Sequence, residues 1–338
     1  LRLSSKNPNM QNLPRDGDVR GMFVAPPGYT FWAVDFAGIE NILVGWLAGS
    51  ERYIRLSKLD MHSFFTAHVL YEIEKVITAA DVPSEGWPDD QLRAALKDIK
   101  RQFPKQRQAN KPHIHGSNYM EGPGTIQEGM LKDIGVVVPI KQIKRLQGFY
   151  FELMPEIRTW QRRATGLEWP SGAPPGLPEW ENAQKGYLRT PFGNIHRYYD
   201  VLTHVKGPKG WELRYSTDAK RAVAFVPQSS ARMVLTRAAQ RLAPDVQSTL
   251  RLFIHDEMLG LCHKDDVARH VQHATDEMHS IKGSVFFTRI TKGELTPDNV
   301  TDLNANIMNN WKQAYATIRS VNVFLDKMET SIIEESAK

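Results

Sequence analysis

The feature that most constrains the fold is a pair of short, strand-like apolar segments that run into acidic residues and are separated by most of the chain. Residues 29–34 (YTFWAV) are aromatic and β-branched, follow the turn signal Pro26-Pro27-Gly28 and lead into Asp35. Leu250–Ile254 and residues 258–262 are apolar and flank His255-Asp256-Glu257, a pattern that predicts a tight strand-turn-strand with an acidic pair at its tip. Asp35 and Asp256 stand 221 positions apart. They could meet if both strands join one antiparallel sheet and the intervening chain loops out, and the expectation is an α+β fold.

That intervening chain reads as helical. Residues 39–111 carry a mostly helical pattern broken at 83–88, and residues 140–167 carry another. Residues 169–178 form a loop rich in Pro and Gly, and 188–199 (LRTPFGNIHRYY) resemble a hairpin turning at Phe192-Gly193-Asn194. Residues 227–242 read as a helix with its proline in the first turn. Beyond Ile307, apolar residues at Trp311, Tyr315, Ile318, Phe324 or Leu325, Met328 and Ile332 describe an amphipathic helix, packed on the chain's own core or on a partner.

With 338 residues the chain can bury a full core in about two domains, or in one with a large insertion. A lone cysteine, Cys262, excludes an internal disulfide and suits a reducing compartment. Without an apolar run of about 18 residues or a signal-like start, the expectation is a cytoplasmic protein with no membrane partner. The formal charge of +5 is mild, but Arg93, Lys97, Lys100, Arg101, Lys105, Arg107 and Lys111 face only Asp98 in their stretch. Such a run is either a local field for phosphates or a solvated basic face.

Paired carboxylates suit phosphoryl transfer, because they are hard oxygen ligands for two Mg²⁺ ions that clamp the attacking and leaving oxygens. A four-residue spacing places Arg107, Lys111, His115 and Tyr119 on one gently drifting helix face about 18 Å long. Cations at one end and a flat ring at the other match a nucleoside triphosphate.

These residues resemble the family A (DNA polymerase I type) DNA polymerases. Val34-Asp35-Phe36-Ala37-Gly38-Ile39-Glu40 resembles motif A, Arg107 to Tyr119 with Gly116 resembles motif B, and Ile254-His255-Asp256-Glu257 resembles motif C. Arg2-Leu3-Ser4-Ser5, continuing through Asn9, Gln11 and Asn12, is similar to the family's palm segment at the primer and template backbone. Asp60-Met61-His62 resembles an Asp-x-His whose histidine meets the β-phosphate, and Pro227-Gln228-Ser229-Ser230-Ala231 resembles the helix that reads the primer's minor-groove face. Departures are His115 in place of Phe or Tyr, Pro112 inside the motif B helix, Met120 where the family has Gly, and a Gln228 motif one residue short with Ser229 for Gly.

The resemblance implies a right-hand polymerase with an antiparallel palm and helical fingers but neither thumb nor exonuclease domain: palm at 1–50 and 189–295, fingers at 51–188, and a C-terminal amphipathic extension at 296–338. It implies two Mg²⁺, with Mn²⁺ as a substitute, on Asp35, the Phe36 carbonyl and Asp256. Catalytic roles fall to Asp35, Asp256, Glu257 and Lys111. Glu40, His62, Arg107, Lys111, His115 and Tyr119 meet the dNTP, Glu40 acting as the gate against a ribose 2′-OH. Arg2, Asn9, Gln11, Asn12, Gln228 and His255 meet primer–template DNA. An upstream or separate polypeptide would supply the thumb and 3′–5′ exonuclease, and the loose motif B suggests a viral source.

Three rivals stand beside this reading. A zinc protein could use His62, His68, His113, His115 and His255, but no zinc-binding spacing is present. A metal-dependent nuclease would use the aspartates without needing the Arg-Lys-Tyr helix, and an inactive DNA-binding relic would not need the aspartates.

Overall fold

The computed structural model describes residues 10, 21–36, 38–135, 137–167, 183, 186–208 and 210–282. The 169–178 loop, the amphipathic stretch beyond 307, and Arg2, Asn9, Gln11 and Asn12 lie outside the described residues.

In chain order, strand β1 (Tyr29–Asp35) is followed by helices α1 (Ile39–Leu47), α2 (Glu51–Leu59), α3 (Met61–Glu72), α4 (Asp89–Gln102) and α5 (Pro104–Asn118). Helices α6 (Pro123–Ile134), α7 (Ile140–Leu153) and α8 (Pro155–Thr165) come next, then strands β2 (Tyr187–Arg189), β3 (Ile195–Arg197), β4 (Leu202–Gly207) and β5 (Gly210–Tyr215). Helices α9 (Thr217–Arg241) and α10 (Pro244–Gln247), strands β6 (Leu250–Ile254) and β7 (Glu257–His263), and helix α11 (Val267–Lys282) complete the described chain. No described helix is long and apolar enough to cross a membrane.

These elements fall into two compact units, one of residues 10, 21–36, 190–194 and 228–282, the other of 38–189 and 195–227 in their described parts. In the first, β1, β7 and β6 form a three-stranded antiparallel sheet in that order. Helix α11 packs on β1 and β7. Along β7 burial alternates, with Met258, Gly260 and Cys262 inside, as a strand with one covered face requires. Trp32, only 2% exposed, is the register partner of Gly260. A Cβ on Gly260 would fall 2.2–2.4 Å from three indole atoms, so glycine is required here by close approach. The indole Nε1–H donates to Thr249 Oγ1 at 3.2 Å, which leaves no buried donor unpaired on the ring.

The second unit is built on an apolar core that includes Tyr53, Phe64, Phe65, Leu92, Leu96, Ile114, Tyr150 and Trp160. Helix α2 starts on Ser50, whose Oγ accepts from the Tyr53 amide at 3.0 Å, and α3 starts on Asp60, which accepts from the Ser63 amide at 3.1 Å. Gly116 lets α6 lie close to α5: a Cβ there would meet Ile126 at 2.7 Å and Glu121 at 2.8 Å.

Several helix boundaries differ from the sequence reading. The 140–167 stretch is two helices, because the chain breaks at Met154 and restarts with Pro155 at a first-turn position. The break expected at 83–88 is wider: α3 ends at Glu72 and α4 starts at Asp89, with one 3₁₀ turn at Ala79–Asp81 between them. Pro112 neither ends nor delays α5, which starts earlier, at Pro104. Helix α9 likewise starts ten residues before Pro227, which is interior, not in the first turn. Each interior proline costs about one backbone bond and a ring clash, of the order of 3 kcal/mol, and tertiary packing outweighs it. Pro112 lies against α6 near Gly129, and Phe225, Val226, Ser229 and Ser230 around Pro227 are buried.

Two outcomes follow from this packing. Gly260→Ala should lower the denaturant midpoint by the equivalent of about 1–3 kcal/mol, the usual cost of overpacking; an unchanged midpoint would mean that Trp32 is not pressed on the strand. Burial pushes the imidazole of His113, stacked on Phe65 with centroids 5.9 Å apart, down to about 4. Its neutral form is the folded one, so this stabilisation is complete above the unfolded pKa of about 6.5 and is lost as pH falls towards 4. Melts of the chain and of His113→Gln at pH 7.5 and 5 should show a smaller acid loss in the variant, and identical losses would exclude His113 as a source.

Candidate active site

In the first unit, β1 delivers Asp35 to one end of the sheet, where it is the register partner of Glu257. The Phe36 amide donates to the Asp256 carbonyl at 3.3 Å, so the chain leaving β1 is tied directly to the β6–β7 turn. That turn consists of His255 and Asp256, and His255 adopts the left-handed conformation at φ 55. A non-glycine residue held there stores strain of the kind found where a side chain must be aimed. Asp35 and His255 are exposed, and Asp256 and Glu257 half-buried.

Behind the turn, the Arg232 guanidinium lies over the Phe253 ring at 4.5 Å, and burial pulls its pKa down to about 10. Gln228 is half-buried on α9, beside Ser229, whose Oγ accepts from Asn194 Nδ2 at 3.1 Å.

Whether this sheet end suits a divalent ion rests on its donors. Asp35, Phe36 and Asp256, which the register and the Phe36–Asp256 backbone bond bring to one end of the sheet, offer hard oxygen donors. Among the described residues no group of three or more His, Cys, Asp or Glu forms a ready cage. That combination fits Mg²⁺, which is typically held by one or two carboxylates with the remaining positions left to water and substrate phosphates.

The second unit gathers a different set. Glu40, in the first turn of α1, accepts from the Tyr119 hydroxyl at 3.0 Å and lies 3.8 Å from His115 Nδ1. His115 and Tyr119 meet edge to face, with centroids 4.7 Å apart. Glu40 and the far end of α5 thus share one spot, although 79 residues separate Glu40 from Tyr119. Tyr119 is buried at 4% exposure, and His115 is exposed.

At the other end of α5, Arg107 binds Asp60 through Nε and Nη2, at 2.9–3.1 Å, and donates from Nε to Ser63 Oγ at 3.0 Å. Burial alone would raise the Asp60 carboxyl, but the bonds from Arg107 and Ser63 together hold it below the usual carboxylate value. Half-buried His62 is pushed by burial down to about 4, with Arg107, Lys111 and His115 adding to the effect and Asp60 opposing it. His62 is therefore neutral near pH 7, inside a cluster of cations.

A buried ring of hydrogen bonds fixes the end of α5. Tyr150 donates to Asn118 Oδ1 at 2.6 Å, Asn118 Nδ2 donates to the Tyr53 hydroxyl at 3.0 Å, and the two tyrosine hydroxyls lie 3.0 Å apart. Gln161 Nε2 caps the helix by donating to the Ser117 and Asn118 carbonyls at 2.7 and 2.9 Å. Burial raises the Tyr53 phenol to about 12, so the ring stays protonated.

The Asp60–Arg107 pair and this ring were absent from the sequence reading. Asp60 ahead of a helical pattern with Ser63 three residues on is a capping signal that could have revealed its position; nothing local marks Asn118. The basic 93–111 stretch divides: on α4, Leu92, Leu96 and Ile99 are buried while Arg93, Lys97, Lys100 and Arg101 are solvated.

No family model matches the chain. It is 22% identical over 287 residues to a DNA polymerase of Escherichia phage T5 (78% of this chain, 30% of that protein). It is 25% identical over 269 residues to the thermostable DNA polymerase I of Thermus aquaticus (76% and 26%), and 24% identical over 328 residues to DNA polymerase I of Pseudomonas aeruginosa (93% and 29%). Among solved structures it resembles the POL domain of Pol1 from M. smegmatis in complex with DNA primer-template and dNTP, with a TM-score of 0.50 and 18% identity, covering 83% of this chain and 42% of that one. The chain thus spans about 30% of the length of the curated relatives it matches. With the three motif resemblances in order, the relatives to which the chain is similar over most of its length are DNA polymerases of the DNA polymerase I type.

Proposed function

We propose that this chain carries the nucleotidyl-transfer part of a DNA-templated DNA polymerase, a palm bearing Asp35 and Asp256 with fingers bearing α5. The observation that supports this most is the pairing of Asp35 with Glu257 and of Phe36 with Asp256, which gathers the acidic residues of two distant motifs at one sheet end. In the reaction the primer 3′-oxygen bonds to the α-phosphorus, the α–β phosphoanhydride bond breaks, pyrophosphate leaves and the hydroxyl proton passes to water.

Asp35, the Phe36 carbonyl and Asp256 are the proposed holders of two Mg²⁺ or Mn²⁺ ions. Such ions, when bound, lower the pKa of the primer hydroxyl and neutralise charge on the leaving pyrophosphate. Glu257 supports the pair from the adjacent register position, and His255, aimed outward by its backbone, contacts the primer terminus.

On α5, Lys111 and Arg107 present cations to the triphosphate. Asp60 engages Nε and Nη2 of Arg107 and so orients the fork, leaving the Nη1 edge for a phosphate oxygen. Neutral His62 can donate one hydrogen bond to a β-phosphate oxygen. Glu40, held by the Tyr119 hydroxyl, stands as the bar to a 2′-OH, and Tyr119 packs beside the templating base. His115 takes the place of the family's aromatic ring there. Gln228 reads the minor-groove face of the primer end, with Arg2, Asn9, Gln11 and Asn12 on the DNA backbone. The Arg-Lys-Tyr helix favours this reading over a nuclease, and the two aspartates favour it over an inactive relic.

Two measurements test the proposal. Asp256→Asn should reduce Mg²⁺-dependent primer extension by about 10²–10³-fold with little change in the melting temperature, an effect of the size seen when one preorganised charge-stabilising group is removed; full activity would refute the metal role. Glu40→Ala should admit ribonucleotides, read as the ratio of kcat/KM for dNTP and NTP, and an unchanged ratio would remove the gate assignment.

A further inference from the structure

The β4–β5 ribbon has no role in the proposed reaction, and its two faces differ. Strand register pairs Lys206 with Trp211 and Leu202 with Tyr215, so these four and His204 share one face, while Thr203, Val205, Glu212 and Arg214 share the other. On the second face Arg214 and Glu212 neutralise each other at 3.0 Å. The first bears no acid. Trp211 is 72% exposed and Tyr215 37%, with His204 and Lys206 also exposed. An isolated two-stranded ribbon is marginal in water, and an indole exposed at its tip makes it more so.

The same face runs into a cavity. Tyr215 lines a space of about 450 Å³ together with Lys144, Arg158, Arg162 and Phe151, where Glu121 is the one acid. Arg158 lies over the Phe151 ring at 4.2 Å. Cations alternating with flat rings, along about 13 Å of ribbon and on into the cavity, are what a single nucleic-acid strand requires: faces for its bases and positive charge for its phosphates.

We propose that this face and cavity form a track for single-stranded DNA, the unpaired template in the polymerase reading on which the inference rests. Bases stack on Trp211 and Tyr215, while Lys206, Lys144, Arg158 and Arg162 follow the backbone. Charge complementarity selects this occupant, because Lys206, Lys144, Arg158 and Arg162 set against Glu121 alone suit a polyanion.

The test uses the whole chain and a fluorescein-labelled oligothymidylate of about twelve nucleotides, a length within the usual site sizes, read by anisotropy. Trp211→Ala combined with Lys206→Ala should weaken binding at least ~10-fold and flatten its salt dependence, whereas Trp211→Phe should keep most of the affinity because the ring remains. Unchanged affinity in the double variant would overturn the proposal. So would dimerisation of the chain that Trp211→Ala abolishes while oligothymidylate binding persists, which would assign the face to a second copy. Primer extension on a template with a one-nucleotide overhang, which gives the track nothing to hold, should run at the wild-type rate in the double variant. Oligothymidylate binding by a wild-type chain that extends no primer would refute the polymerase reading and leave the track standing.

Discussion

The register of β1 against β7 is the constraint on which the rest depends. Because side chains alternate along a strand, a slip of one residue would turn Asp35 to the other face and separate it from the β6–β7 turn. Trp32 prevents the slip: its indole fits only over a residue without a Cβ, and Gly260 is that residue. The Thr249 hydroxyl then fixes the ring through Nε1. Strand β1 thus translates a packing contact at Trp32 into the placement of the Asp35 carboxylate.

A comparable logic operates on α5. The chemistry proposed for it depends on four side chains one turn apart, yet the helix is a poor one by composition, with an interior proline and a glycine. What holds it is tertiary. Arg107 is locked to the cap of α3 by Asp60, Gly116 admits α6, and the Tyr53–Asn118–Tyr150 ring with Gln161 pins the last turn. Asp60 is therefore both a helix cap and the orienting partner of a cation. Glu40 and Tyr119 join because each is the end of an element that this packing fixes.

Much of this is legible in the sequence. Strands β1, β6 and β7 announced themselves through β-branched and aromatic runs bounded by turn signals, and the four-residue period of Arg107, Lys111, His115 and Tyr119 survived because only Tyr119 lies past the helix end. The start of α9 differs from its sequence signal because proline at 227 suits a first turn locally, whereas burial on both sides outweighs its cost inside the helix. The Asp60–Arg107 pair, spanning 47 residues, and the Asn118 ring leave no periodic trace. Such long-range polar contacts depend on which helices become neighbours, which hydrophobic pattern alone leaves open.

In the proposed reaction Asp35 and Asp256 grip divalent cations together. Anomalous diffraction from crystals of the chain grown with primer–template DNA, a non-hydrolysable dNTP analogue and Mn²⁺ tests it most directly. The account predicts manganese peaks within bonding distance of both carboxylates and beside the analogue's phosphates. Manganese bound elsewhere, with either aspartate outside the coordination sphere, would contradict it.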